Sequence, residues 1–314
     1  MPSINSVLGP IDTSKLGFTL PHEHLTASSA GLPFTYPEVV DRDWVLKAAV
    51  EDLSRARNGG VVTMVDVSPI DLGRDVELMK EVSRESGMQF ICATGCWLDV
   101  PRSFWGRSPD YIASLWIREI EVGIERTGIK AGIIKVATSD PIQEPEQLML
   151  RASAKAHKQT GVPISTHTPR SSRIGEEQIR ILQEEGVDPH SVYIGHACNT
   201  LDLEYHKRML DTGVYLGWDI YFPANRPGTP TWEERTDYLA DLLGDGYASQ
   251  IMLSHDWTIA LGYTSPGYPS REENPEGYLW ITHKVLPWLR KLGTSDDVIT
   301  QMTVENPRRY FEGG

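Results

Sequence analysis

The sequence predicts an α/β fold, a closed (β/α)8 TIM barrel, and three observations carry that expectation. Eight short apolar runs alternate with eight amphipathic helical stretches along 314 residues, which is the element count of such a barrel. The runs are near-continuously apolar, as strands are when a parallel sheet is covered on both faces. No Gly-rich dinucleotide fingerprint follows any of them, which disfavours the alternative, a doubly wound open sheet.

Taken in order, residues 3–15 read as a small β-hairpin turning at Gly9-Pro10 and capping one end of the fold. The first core strand is 16–22. After a loop rich in Ser, Ala, Gly and Pro, 43–58 reads as helix, because Val45, Ala48, Ala49, Leu53 and Ala56 form a helical stripe and Gly59-Gly60 ends it. Strand 61–67, helix 73–86, strand 90–95 and a long helix 109–127 come next. Strand 132–137 leads to helix 144–159, strand 162–167 to helix 175–185, strand 192–196 to helix 201–211, and strand 214–219 to helix 231–243. The eighth strand is 251–256. A long loop over 257–275 precedes a helix over 276–292, and a short helix over 296–304 follows. The chain therefore reads as one domain: hairpin 3–15, barrel 16–292 and C-terminal helix 296–304.

Acidic residues outnumber basic ones, 43 against 30, for a net charge of −13. That balance argues against a nucleic-acid or anionic-membrane partner and leaves a small neutral or hydrophobic substrate open. The first ten residues carry no basic segment with an apolar run behind it, and no apolar stretch reaches membrane-span length. Cys92, Cys96 and Cys198 have no paired spacing and read as reduced thiols, so a cytoplasmic location is expected.

The strand endings point to chemistry. The first strand runs into His22-Glu23-His24, and side chains two apart on a strand share a face. His22 and His24 thus present two imidazoles to one side, a good metal grip, with Glu23 on the other. Further on, Lys135 interrupts an apolar strand, His167 and His196 end the fifth and sixth, and Asp256 ends the eighth. A single strand-end histidine is more often a hydrogen-bonded core residue. Five of eight strands ending in ligand-type residues is hard to ascribe to packing, and barrel enzymes carry their sites at this end. Alternation turns His255 away from the mouth, and His157, His190, His206 and His283 are expected to be solvated. A buried lysine should shed its proton. Lys135 can then add carbon dioxide and become a bridging carbamate, or it can pair with Asp256 in a structural salt bridge.

Five segments carry a resemblance: Phe18-Thr19-Leu20-Pro21-His22-Glu23-His24-Leu25, Ala131-Gly132-Ile133-Ile134-Lys135-Val136-Ala137, Gly161-Val162-Pro163-Ile164-Ser165-Thr166-His167-Thr168, Ile194-Gly195-His196 and Ser254-His255-Asp256-Trp257. In this order they resemble the phosphotriesterase family of the amidohydrolase superfamily, which includes organophosphate hydrolases and phosphotriesterase-like lactonases. The resemblance implies two divalent metal ions, with zinc, cobalt, manganese and iron all suited to such ligands. His22, His24 and Asp256 would hold the more buried ion, and His167 and His196 the more exposed one. Lys135, as N6-carboxylysine, would bridge both. Such a pair makes hydroxide available near neutral pH and polarises a carbonyl or phosphoryl oxygen. Asp256 is then also the expected proton acceptor. A homodimer is expected from the resemblance alone.

Specificity in barrels lives on the βα loops. Trp97 lies where the family places an aromatic beside the metals. Many lactonases of the family carry arginine after the seventh-strand aspartate and organophosphate hydrolases a histidine, whereas this chain has Ile220. That departure suggests an apolar pocket walled by Trp97, Leu98, Ile220, Tyr221, Phe222, Trp257 and the loop 259–268. The expected activity is opening of lactones with an apolar tail, of the N-acyl-homoserine lactone type, with promiscuous phosphotriesterase activity. A phosphotriesterase or carboxylesterase is the alternative, and a non-hydrolytic binding protein a more distant one.

Overall fold

A computed structural model of the chain describes residues 2–170, 172–223, 228–263, 265 and 268–313. The chain opens with an antiparallel hairpin, β1 (Ser3–Ser6) and β2 (Gly9–Asp12). Its turn is Val7-Leu8 rather than Gly9-Pro10, because Ser6 pairs with Gly9. The Ser6 hydroxyl closes the turn by donating to the Gly9 carbonyl at 2.6 Å and accepting from Leu8 N–H at 3.3 Å. Asn5 fixes the hairpin under the barrel, its amide donating to the carbonyls of Ile120 and Ala131.

The barrel strands follow: β3 (Phe18–Glu23), then a two-residue β4 (Thr26–Ala27) outside the barrel, β5 (Val61–Asp66), β6 (Gln89–Cys96), β7 (Ile133–Ala137), β8 (Ile164–His167), β9 (Val192–Gly195), β10 (Tyr215–Trp218) and β11 (Ile251–Leu253). Eight of them form one parallel sheet in the order β3-β5-β6-β7-β8-β9-β10-β11. The eight-unit barrel read from the sequence is therefore the fold. A last strand, β12 (Ala260–Leu261), pairs with β4 above the mouth, a contact too short to leave a pattern in the sequence.

The seam between β11 and β3 is closed by polar groups. Asp256 N–H donates to His22 O at 3.2 Å and His24 N–H to Trp257 O at 2.9 Å. The buried Glu23 carboxylate, facing away from the mouth histidines, accepts from Ser254 Oγ, His255 N, His255 Nδ1 and Trp257 N at 2.7–2.9 Å. This carboxylate is the reason His255 turns inward to the seam.

Side chains sort into two apolar layers by strand alternation. On β7, Ile134 and Val136 join the large cluster under the helices. Ile133 joins the smaller cluster inside the barrel with Val65, Ile91, Ala93, Tyr193 and Met252. Lys135 stands two residues beyond Ile133 and so enters the same interior.

The helices begin on side-chain caps more often than the apolar stripe alone would indicate. Asp41 caps Arg42–Asn58, and Asp75 caps Val76–Ser86. The expected start at residue 73 is thus three residues early, and a 3-10 turn at Ile70–Leu72 comes before the helix. The third expected helix, 109–127, stops at Glu121. The stretch 276–292 is not one α-helix: a 3-10 turn at Gly277–Leu279 is followed by a wide π turn at Ile281–Val285 and an α segment Leu286–Lys291. The terminal helix likewise widens at Gln301–Glu305 and continues as Asn306–Glu312, past the expected end at 304. Each π turn lies just before a proline, Pro287 or Pro307. A proline has no N–H to give the carbonyl four residues back, and its ring crowds that carbonyl, so the helix widens there. Among the described residues no helix is long and apolar enough to cross a membrane. Cys92, Cys96 and Cys198 are all free and buried.

Two expectations about outlying histidines need correction. His206 is fully buried, with Nε2 against Ala197 O at 3.0 Å and Nδ1 against Tyr238 Oη at 2.8 Å. His157 is half-buried on Val162 O. His190 and His283 are exposed, on Asp188 and Glu276 respectively.

Candidate metal centre

At the C-terminal ends of the strands lies a cavity of about 250 Å³, and His22, His24, Lys135, His167, His196 and Asp256 all line it. Their rings and charges are close. The His22 and His196 centroids are 4.7 Å apart and those of His167 and His196 4.6 Å. Asp256 Oδ1 lies 3.3 Å from His24 Nε2 and 3.9 Å from His22 Nε2. Lys135 Nζ lies 3.1 Å from His22 Nε2 and 3.4 Å from the Thr166 carbonyl.

The electrostatics suit cation binding. Burial, with the Lys135 charge beside it, pushes His22 down to about 3, and burial with His196 holds His167 well below the usual imidazole range. Both rings are thus neutral at physiological pH, the state a metal ligand needs. Burial opposes ionisation of Asp256, yet His196 and the bond to His24 hold it well below the usual carboxylate range. Burial pushes the Lys135 amine down to about 8, against the pull of Asp256 and Asp219. The salt bridge with Asp256 is not made, since no carboxylate reaches Lys135 within ion-pair distance among the described residues. Four imidazoles, a carboxylate and an amine able to become a carbamate match the ligand preferences of borderline divalent ions.

Two of these residues hold unusual backbone. His196 has φ 62° and Asp256 φ 56°, two of only three non-glycine residues with positive φ among those described. Such strain tends to persist where the surroundings fix it and function uses it.

Asp219 was not anticipated as a site residue. Its buried carboxylate sits behind the rings: Oδ1 accepts from His196 Nδ1 at 3.0 Å and from His196 N–H at 2.9 Å, and Oδ2 lies 3.0 Å from His22 Nδ1. Tyr193 Oη also donates to Oδ2 at 2.9 Å. His22, His196 and Asp219 are close enough to hold an ion themselves. Asp219 does not line the cavity, however, and its oxygens are taken up by these donors. We read it as the clamp that keeps protons on both Nδ1 atoms and turns both Nε2 lone pairs to the mouth. His22, His24 and Asp256 form the other close group, and their facing atoms open onto the cavity. The cue for Asp219 was its place at the end of the seventh strand. Asp219→Asn is expected to weaken cation affinity on the order of 10–100-fold, measured by titrating metal-free protein with cobalt. Unchanged affinity would remove the clamp.

Glycines leave room for this arrangement. A Cβ on Gly195 would come within 2.3 Å of Thr166 O and 3.0 Å of His22 Cε1. One on Gly217 would come within 2.4 Å of both Asp219 Oδ2 and Tyr193 Oη. Gly195→Ala should therefore destabilise the fold by about 1–3 kcal/mol, the usual scale of overpacking. It should also displace His22. Denaturant titration and cation binding measured on one sample would check both.

The expected pocket walls divide between the cavity and the layer behind it. Trp97 and Ile220 line the cavity, with Trp97 edge-on to His167 at 5.6 Å. Leu98, Tyr221, Phe222 and Trp257 do not line it. Tyr221 is buried beneath Thr236, and Phe222 and Trp257 pack on Tyr268, forming the layer behind the wall. From the loop 259–268, Leu261, Tyr263, Ser265 and Tyr268 reach the cavity, while 264, 266 and 267 lie outside the described residues. Alongside Ala27, Leu72 and Leu261 stand Thr168, Arg170 and Asn199, so one side of the cavity is polar rather than uniformly apolar.

The model of the phosphotriesterase family matches residues 2–311. The chain is 35% identical over 311 residues to an aryldialkylphosphatase of Saccharolobus solfataricus, covering 96% of each protein. It is 36% identical over 323 residues to a phosphotriesterase homology protein of Mycobacterium tuberculosis, covering 99% of this chain and 98% of that one. An N-acetyltaurine hydrolase of Danio rerio is 27% identical over 349 residues, covering 98% and 97%.

Proposed function

Because the chain belongs to the phosphotriesterase family, which includes metal-dependent hydrolases of ester and phosphoester bonds, we propose that it opens lactones with an apolar tail and cleaves phosphotriesters more slowly. The observation that carries this reading is the cavity itself, where six ligand-type side chains meet an apolar wall of Ala27, Leu72, Trp97, Ile220 and Leu261.

His22, His24 and Asp256 would hold one divalent cation, His167 and His196 a second, with Lys135 as carbamate between them and zinc as the commonest fit. A bound pair supplies a nucleophilic hydroxide near neutral pH and Lewis acidity towards the substrate oxygen. The chain's own residues do the rest. Asp256 takes the proton from the attacking water at its carboxylate and returns it to the leaving alkoxide. Its ionised state and its contact with His24 hold it ready for that exchange. Trp97 and Leu72 exclude water from the apolar part of the substrate.

A second reading, with phosphotriesters as the main substrates, is favoured by the likeness to the aryldialkylphosphatase. Side-by-side kcat/KM for an N-acyl-homoserine lactone, an aryl ester, a paraoxon-like triester and N-acetyltaurine, on metal-reconstituted protein, separates the readings. The lactone is expected to lead. A triester or N-acetyltaurine leading it would overturn the choice.

A further inference from the structure

Asn199 lines the cavity and is buried. It ends the 3-10 turn Ala197–Asn199 that starts from His196, and its N–H returns to the His196 carbonyl at 3.0 Å. Its side chain therefore stands one tight turn from an imidazole of the site. Behind it lies Arg235, also buried. Arg235 Nη2 donates to Asn199 Oδ1 at 3.0 Å, and its Nε donates to Cys198 O at 3.1 Å.

A guanidinium can only donate, so it decides which way the amide faces. The oxygen meets Arg235, and Nδ2 turns away from it. Nδ2 has no hydrogen-bond partner among the described residues, and it is not among the buried atoms sealed from solvent. Arg235 in turn forms no ion pair among the described residues, so its charge rests on two neutral oxygens. A charge-assisted bond to Oδ1 draws electron density from the amide and makes its N–H a stronger donor.

We propose that Asn199 binds substrate through Nδ2, donating to an acceptor-only oxygen next to the scissile bond, and that Arg235 is the positioning residue that aims and polarises it. This rests on the hydrolase reading above and narrows it. The oxygen would be the ring or alkoxy oxygen of a lactone, ester or phosphotriester. An amide N–H in that place would meet Nδ2 donor to donor, so the cavity favours esters over the matching amides.

The test compares wild type, Asn199→Ala, Asn199→Asp and Arg235→Lys as cation-loaded proteins. It measures kcat/KM on a neutral lactone and triester, cation content, and Kd for diethyl phosphate by calorimetry. Both Asn199 variants are expected to lose on the order of tenfold to a hundredfold in kcat/KM with cation content unchanged, and to bind diethyl phosphate more weakly. Arg235→Lys should retain part of the activity. Asn199→Asp is the deciding variant for the neutral substrates, because it keeps an acceptor for Arg235 and removes the donor, while Asn199→Ala, which adds no charge, is the one read for diethyl phosphate. Wild-type kcat/KM in Asn199→Asp would reduce Asn199 to a structural role and overturn the proposal. A wild type that binds cations but turns over nothing removes the hydrolase reading instead. The diethyl phosphate Kd then decides alone: an unchanged value in Asn199→Ala overturns the donor, and a raised one sustains it.

Discussion

Replacing Asp256 with asparagine lowers kcat by on the order of 10²–10⁴-fold, the usual scale for a placed general acid-base. The residue follows β11 with a left-handed backbone, which swings its carboxylate from the seam into the cavity. There it faces His24 and His22 and stays ionised despite burial. Asparagine keeps the shape and one oxygen but cannot accept the water's proton or return it to the leaving alkoxide. The loss should fall on kcat more than on KM, since the side chain acts on the reacting atoms rather than on the substrate's tail. Cation analysis on the same preparation separates this from loss of metal. Wild-type turnover in a fully metallated Asp256→Asn protein would contradict the role.

His22→Ala should cost more, because it removes the cations as well as the rate. His22 is the most connected side chain of the site: Nε2 adjoins Lys135 Nζ and Asp256, Nδ1 adjoins Asp219, and the ring lies beside those of His24 and His196. Alanine leaves Asp219 facing a void and deprives Lys135 of its nearest neighbour. Cation content per chain should fall by at least half, with activity falling alongside it. A variant that still binds the full complement of cations would contradict this centre.

The fold was legible because its signal is repetitive. Eight apolar runs spaced by helical stripes leave few architectures open, and small errors at each boundary do not alter the count. What stayed hidden lies in local hydrogen bonding or in partners distant in sequence. Asp75 sets where its helix starts, and Pro287 and Pro307 set where helices widen, through local hydrogen bonding that a hydrophobic pattern does not report. The six cavity residues showed because strand ends in a barrel converge, so that sequence position alone predicts proximity. The pocket walls did not follow, because loop side chains obey no period. Phe222 and Trp257 look like walls by composition, yet they pack on Tyr268 and stand behind it. Asp219 was visible as a strand-end carboxylate, but its clamp on two imidazoles exists only once β3, β9 and β10 are assembled. Asn199 carried no signal at all, since its role depends on Arg235, 36 residues away in the chain.

The central claim is that a modified lysine joins a pair of cations held by imidazoles and a carboxylate. Carbon-13 NMR of protein reconstituted with zinc and labelled bicarbonate tests it most directly, with zinc counted on the same sample. The account predicts a carbamate resonance that is lost in Lys135→Met, together with a cation pair in each wild-type chain. A zinc-loaded wild-type protein with full activity and no carbamate resonance would contradict it.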